Sequence, residues 1–319
     1  MKVLVTGATG FIGGYVVQEL INRGCHVVAT SKNPEKVQSR EWGSQVQYIP
    51  WDMNVAQENF FQFFQKPEMM IHLAWSGLPD YRNIFHIEEN LFSHYRFIKN
   101  MLEHGLRHLT VTGTCLEYGK QSGVLEEAME TRPDNPYGLA KDTLRKCLEQ
   151  LQKKIDFDLK WTRLFYIYGK GQGSHAILAQ LDNALEKGET TFNMSGGEQL
   201  RDYLPVERVA EYVVKIAMQG KVNGIINCCS GEPISIRKLV EDYLKAKQKN
   251  IHLNLGYYKY PDYEPMAFWG DDKKLKISLG DSVACDVSRR AINLPSFYGV
   301  DQERIAEVIH KLIRGKHER

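Results

Sequence analysis

The stretch Thr6-Gly-Ala-Thr-Gly-Phe-Ile-Gly13 closes a β-rich run, Lys2–Thr6, and opens a helical pattern, and it narrows the fold further than any other feature of the chain. A helix that begins at a glycine turn presents unpaired N–H groups and a partial positive charge, a combination that holds an anion. In the expected strand–loop–helix, Gly7 permits the tight turn, Gly10 lets backbone approach a phosphate, and Gly13 lets the helix close on the strand. The spacing is G-x-x-G-x-x-G rather than G-x-G-x-x-G. The anion expected here is a dinucleotide pyrophosphate, lined by Gly7, Thr9, Gly10, Phe11, Ile12 and Gly13.

The rest of the first half repeats the strand-then-helix order. Candidate strands at 2–6, 26–30, 47–50, 69–73, 108–112 and 159–165 alternate with candidate helices at 13–23, 56–65, 83–104 and 136–154. That order predicts an α/β fold, a Rossmann-like doubly wound parallel sheet, over residues 1–168. After Tyr168-Gly169 the alternation stops, and residues 169–280 read as a smaller substrate-binding region. It is expected to interleave with the first, because 224–229 reads as one more buried strand. The helices at 83–104 and 136–154 are long and amphipathic, which points to a homodimer packed through them.

Composition excludes several classes. With 43% hydrophobic and 25% charged residues in 319, the chain is neither fibrous nor disordered. The net charge of +2 arises from interspersed signs, so no nucleic-acid partner is expected. No apolar run nears the roughly 20 residues that span a bilayer, so no membrane partner is expected, and a cytoplasmic location follows. The six cysteines show no C-x-x-C pair and read as reduced thiols, and no metal-ligand spacing occurs.

At the end of the second expected strand, an acidic residue would bond the adenosine ribose and repel a 2′-phosphate. The chain instead has Ala29-Thr30-Ser31-Lys32-Asn33, so NADP(H) is favoured over NAD(H), with Thr30, Ser31 and Lys32 at that end. Downstream, Pro136-Tyr137-Gly-Leu-Ala-Lys141 sets a phenol and an ammonium on one helix face. A fixed cation brings a tyrosine, ordinarily near a pKa of about 10, toward useful acid–base work. Thr112-Gly-Thr114 on the preceding strand supplies hydroxyls suited to orient a substrate oxygen.

Together these residues resemble the short-chain dehydrogenase/reductase superfamily, in its extended branch of nucleotide-sugar epimerases, dehydratases and ketoreductases. The resemblance covers roughly residues 1–280. Asp52, followed by Met53, resembles the adenine-contacting acid, and Ile71-His-Leu73-Ala74, followed by Trp75, resembles the fourth-strand segment that lines the cofactor. Asn90 sits where the family carries a helix asparagine. The stretch 161–169, which holds Phe165, and the segment Leu200-Arg-Asp-Tyr-Leu-Pro-Val206 are similar to two further family motifs. The resemblance implies that Thr114, Tyr137 and Lys141 are catalytic and that Thr112, Tyr137 and Lys141 line the cofactor. It also implies that Arg201 contacts the substrate diphosphate, with a structural ion pair to Asp202 as the alternative.

For the reaction, the resemblance implies reduction of the 4-keto group of a nucleotide-linked 4-keto-6-deoxyhexose, in deoxysugar or surface-polysaccharide synthesis such as lipopolysaccharide. The related 4,6-dehydratases carry Asp-Glu where this chain has Cys115-Leu116, with Glu117 one residue further on, so dehydration is disfavoured. GDP-fucose synthases pair a loop cysteine with a histidine; His175 resembles that histidine, but Cys115 is one position early. Both are carried as substrate contacts, with Thr114 and Arg201. A nucleotide-sugar epimerase is the alternative, and a catalytically silent NAD(P)-binding regulator the alternative of another class. Residues 281–319 resemble the closing segment of a PLP-dependent sugar aminotransferase, and no function is assigned to them.

Overall fold

A computed structural model describes residues 1–260 and 264–280. Seven parallel strands form the main sheet: β1 (Lys2–Thr6), β2 (His26–Thr30), β3 (Gln47–Tyr48), β4 (Met69–His72), β5 (His108–Thr114), β6 (Asp158–Leu164) and β7 (Gly224–Cys228). Their spatial order is β7-β6-β5-β4-β1-β2-β3. The order reverses at β1, and in open sheets of this kind ligands bind at the carboxyl ends of the strands flanking such a switch point.

Side chains alternate across the sheet. Leu4, Val28 and Met70 point into one apolar layer, with Phe97, Ile98 and Met101 of α2 (Phe92–Glu103) and Leu144 and Leu148 of α3 (Pro136–Leu151). Val3, Val5, Val27 and Ile71 point into the other, against Val16, Val17 and Leu20 of α1 (Phe11–Asn22) and Val209 and Val213 of α4 (Val206–Met218). The period of two along each strand thus buries both faces, as a doubly wound sheet requires.

Beyond β6 the chain builds a smaller body. A third apolar cluster (Leu178, Leu181, Phe192, Leu239, Val240, Leu244, Ile251) joins the helices Ile177–Glu186 and Ile236–Ala246 to short strands, and then β7 pairs with β6 at the sheet edge. No described helix is long and apolar enough to cross a membrane.

Several expected boundaries shift. The helix expected over 83–104 is a π-helical turn, His86–Leu91, running into α2. The one expected over 56–65 shrinks to Phe60–Phe63, because Gln65 and Lys66 adopt left-handed φ of 60° and 54° and break it. The strand expected over 47–50 stops at Tyr48, ahead of Pro50, which has no N–H to give a ladder. The helix α1 starts at Phe11 rather than Gly13. The expectation for 281–319 lies outside the described residues.

Candidate active site

The glycine loop joins β1 to α1 at the switch point. Gly7 has φ +70°, and a Cβ there would stand 2.8 Å from the Ala74 nitrogen. A Cβ on Gly13 would stand 2.1 Å from the Gly7 carbonyl oxygen, so only glycine lets the helix reach the loop. Gly10 is the N-cap of α1, with no side-chain cap and no acid in the first turn. The first N–H groups therefore face outward, and an anion such as a pyrophosphate fits them. Nearby, Thr30 Oγ1 is buried with no hydrogen-bond partner among the described residues.

Past the end of β2 lies a residue that the sequence reading missed. Arg40, well past β2, reaches back to donate from Nη2 to the Thr9 carbonyl oxygen at 2.8 Å. Its Nη1 would lie 3.2 Å from a Cβ on Gly14. Thr9 Oγ1 donates to Ser31 Oγ at 2.9 Å, and Tyr48 Oη donates to the Ser31 carbonyl oxygen at 2.8 Å. Lys32, expected as a cation at this end, is exposed and ion-paired with Asp52 at 2.9 Å. The Asn54 N–H and Lys32 hold the Asp52 carboxyl below its usual range. Nothing in the spacing of Arg40 marks it; the fold of the β2–β3 connection brings it home.

On the other side of β1, Thr6 Oγ1 accepts from the Ala74 N–H at 3.3 Å, tying the end of β4 to the loop. Leu73 continues the pairing through its N–H to the Thr6 carbonyl, and Met53 packs half-buried on the core below. Asn90 is buried and donates to the Ser76 carbonyl at 3.0 Å.

Thr114, Tyr137 and Lys141 are all buried at this end of β5 and the start of α3. Asn135 caps α3 by accepting from the Gly138 N–H, and Pro136 opens it, which fixes Tyr137 and Lys141 one turn apart. Lys141 Nζ donates to the Thr112 carbonyl oxygen at 2.9 Å. Burial pulls its ammonium down to about 7, against the opposing pull of Glu117. The phenol departs from expectation: burial, chiefly, raises the Tyr137 pKa, although a Thr114 hydrogen bond works the other way. Lys141 Nζ is 6.0 Å from the Tyr137 ring centre, and in this state the tyrosine is a protonated acid.

The other candidate acids and bases near Thr114 are sequestered. Glu117 is fully buried and accepts from the Thr114 N–H at 2.8 Å, from Trp161 Nε1 at 2.9 Å and from Arg163 Nε at 2.7 Å. Its carboxylate faces the core beneath the turn that carries Thr114. Cys115 is buried, and burial pushes its thiol well above the ordinary value. Phe165 packs with Cys115, Tyr118, Cys229 and Phe268. His175 is exposed on the turn before the helix Ile177–Glu186.

Arg201 is buried, and the ion pair with Asp202 that stood as the alternative to a diphosphate contact does not form. Its Nη2 meets Glu264 Oε2 at 2.9 Å, and Tyr166 Oη donates to Glu264 Oε1 at 2.6 Å. Asp202 instead accepts from the N–H groups of Ser230, Gly231 and Gly270.

The sequence profile of the NAD dependent epimerase/dehydratase family matches residues 3–229. The chain belongs to this family. It is 32% identical over 271 residues to a dTDP-6-deoxy-L-talose 4-dehydrogenase (NAD(+)) of Aggregatibacter actinomycetemcomitans, covering 85% of this chain and 99% of that one. A dTDP-4-dehydro-6-deoxyglucose reductase of Escherichia coli is 25% identical, over 75% of this chain and 79% of its own. Among solved structures, a UDP-glucuronic acid 4-epimerase from Bacillus cereus in complex with UDP-glucuronic acid and NAD superposes with a TM-score of 0.74. It is 25% identical and covers 90% of this chain and 95% of its own. The family gives the chain an NAD-type dinucleotide as cofactor and the chemistry of sugar-nucleotide dehydrogenases, reductases and epimerases.

Proposed function

We propose that the protein reduces the 4-keto group of a nucleotide-linked 4-keto-6-deoxyhexose in deoxysugar or surface-polysaccharide synthesis. The observation that carries this reading is the buried set of Thr114, Tyr137 and Lys141 gathered at the end of β5 and the start of α3, while Cys115 and Glu117 are sequestered. Bound NAD(P)H supplies the hydride. Thr114 hydrogen-bonds the C4 oxygen, Tyr137 gives it a proton as charge develops there, and Lys141 holds the nicotinamide ribose and then stabilises the phenolate. The relative named for oxidation at C4 of a 6-deoxyhexose supports the reading, because reduction is the reverse of that reaction. In this reading Gly7, Thr9, Gly10, Phe11, Ile12 and Gly13 hold the pyrophosphate, and residues 169–280 hold the sugar nucleotide.

We infer a preference for NADP(H). Support comes from the absence of an acid at the end of β2 and from Arg40, Ser31 and Lys32 beside it. The relative named for NAD(+) points the other way, so kcat/KM with each cofactor decides it. We also propose a cytoplasmic homodimer whose interface includes the exposed Phe92 on α2 and Leu139 on α3.

A C4 epimerase reading is favoured by the likeness to the Bacillus cereus 4-epimerase. Incubation of the purified protein with dTDP- or GDP-4-keto-6-deoxyhexose and NADPH separates the two. Stoichiometric loss of NADPH absorbance with formation of the 6-deoxyhexose supports reduction. Interconversion of hexoses without net cofactor loss contradicts it.

A further inference from the structure

Trp75 lies just past β4, between the glycine loop and α3. Its indole N–H donates to His86 Nδ1 at 3.1 Å, and His86 Nε2 lies 2.8 Å from the Asp80 carbonyl oxygen. His86 therefore carries its proton on Nε2 and accepts from Trp75. The His94 ring stacks on the indole with centroids 4.5 Å apart and planes 20° apart. Two contacts thus fix the indole plane, and Lys141 Nζ sits 4.1 Å from its centre.

We propose that Trp75 is a positioning residue for Lys141: its π face holds the ammonium charged and aimed in a site too dry to solvate it. The proposal rests on the role given to Lys141 in the ketoreductase reading. An ammonium has three N–H donors, and one of those on Lys141 goes to the Thr112 carbonyl. A desolvated cation gains most from an aromatic face, and tryptophan offers the best one.

The groups around Lys141 leave this contact a clear task. Tyr137, one turn back on α3, is protonated. His72 on β4 and His94 on α2 are buried, and burial, aided by the Lys141 charge, takes His72 down to about 3 and His94 well below its usual value. Thr6 Oγ1, which accepts from the Ala74 N–H, lies 2.8 Å from His72 Nδ1, and His72 Nε2 lies 2.7 Å from His94 Nδ1, a contact in which one ring nitrogen must be unprotonated to accept. Glu117 is the carboxylate that favours the ammonium, but Arg163 pairs with it at 2.7 Å. The indole face adds a stabilisation that no counter-charge shares.

The test reads Lys141 directly, without any sugar. The full chain is labelled with ¹³C,¹⁵N-lysine, the Lys141 signal is assigned with Lys141→Met, and the pKa is titrated by NMR in wild type, Trp75→Phe and Trp75→Leu. The Leu variant is expected to titrate about one pH unit lower than wild type, with Phe in between. The alkaline limb of kcat should move down by the same amount, because activity is lost as pH rises through the Lys141 pKa. An unchanged pKa in Trp75→Leu overturns the proposal, and so does a shifted pKa with an unmoved limb. If Trp75→Leu does not fold, stepwise fluorination of the tryptophans preserves shape while weakening the π face. The pKa is then expected to fall with each fluorine, and a constant value overturns the proposal. If wild type reduces no 4-keto sugar, the ketoreductase reading fails by itself, and the NMR titration still decides whether Trp75 holds the ammonium.

Discussion

Lys141→Met should abolish turnover and yet make the protein more stable near neutral pH. In the folded protein, burial takes the lysine from 10.5 to about 7. At 1.36 kcal/mol per pH unit, that fall corresponds to about 5 kcal/mol of folding free energy lost wherever the side chain is charged in both states. The figure combines the cost of burial with the opposing pull of Glu117. The sign follows from proton counts: between about 7 and 10.5 the unfolded chain binds a proton that the folded chain does not, so wild-type stability rises with pH there. Below that window the penalty is complete, and above it the penalty is gone. Urea unfolding at about pH 6 and about pH 9 should therefore find the Met variant ahead at the lower pH, its lead narrowing by about 3 kcal/mol at the higher. A lead that does not change with pH, or a Met variant that is less stable at both, would refute the reasoning.

Other outcomes follow from the same geometry. Arg40→Leu should raise KM for NADPH about tenfold while leaving NADH nearly unchanged, as steady-state kinetics with both cofactors would show. Gly13→Ala puts a Cβ 2.1 Å from the Gly7 carbonyl oxygen, so calorimetry should find cofactor binding lost and stability down by roughly 1–3 kcal/mol. Glu117→Gln leaves the fully buried Arg163 without its counter-charge, and chemical denaturation should register a loss of about 3–5 kcal/mol. Phe92→Asp should convert dimers to monomers in light scattering; a species of unchanged mass would exclude α2 from the interface.

The sheet and its glycine loop were legible because their signals are local: β-rich runs of period two or fully apolar, punctuated by glycines that no other residue can replace. Gly7 and Gly13 are needed for contacts within the loop and with Ala74, so their spacing alone revealed them. Thr114, Tyr137 and Lys141 were legible as a set because one strand end and one helix start position all three. Arg40 was not, because its partner, the Thr9 carbonyl, is backbone and leaves no pattern in the sequence. Nor was the fate of Glu117: whether it turns toward a substrate or into the core depends on Trp161 and Arg163, which arrive from a strand far along the chain. The direction of the Tyr137 shift was misjudged for a related reason. Sequence places the lysine on the same helix face, but burial dominates the phenol and Lys141 is turned toward Thr112 and Trp75.

The central claim is that hydride goes to C4 of a nucleotide-linked sugar. It is tested most directly with NADPH carrying deuterium at the transferable position, by following a nucleotide-linked 4-keto-6-deoxyhexose by NMR. One deuterium at C4 of the hexose for each cofactor oxidised is the predicted result. A product without deuterium at C4, or a changed sugar with the labelled cofactor unspent, would contradict the account.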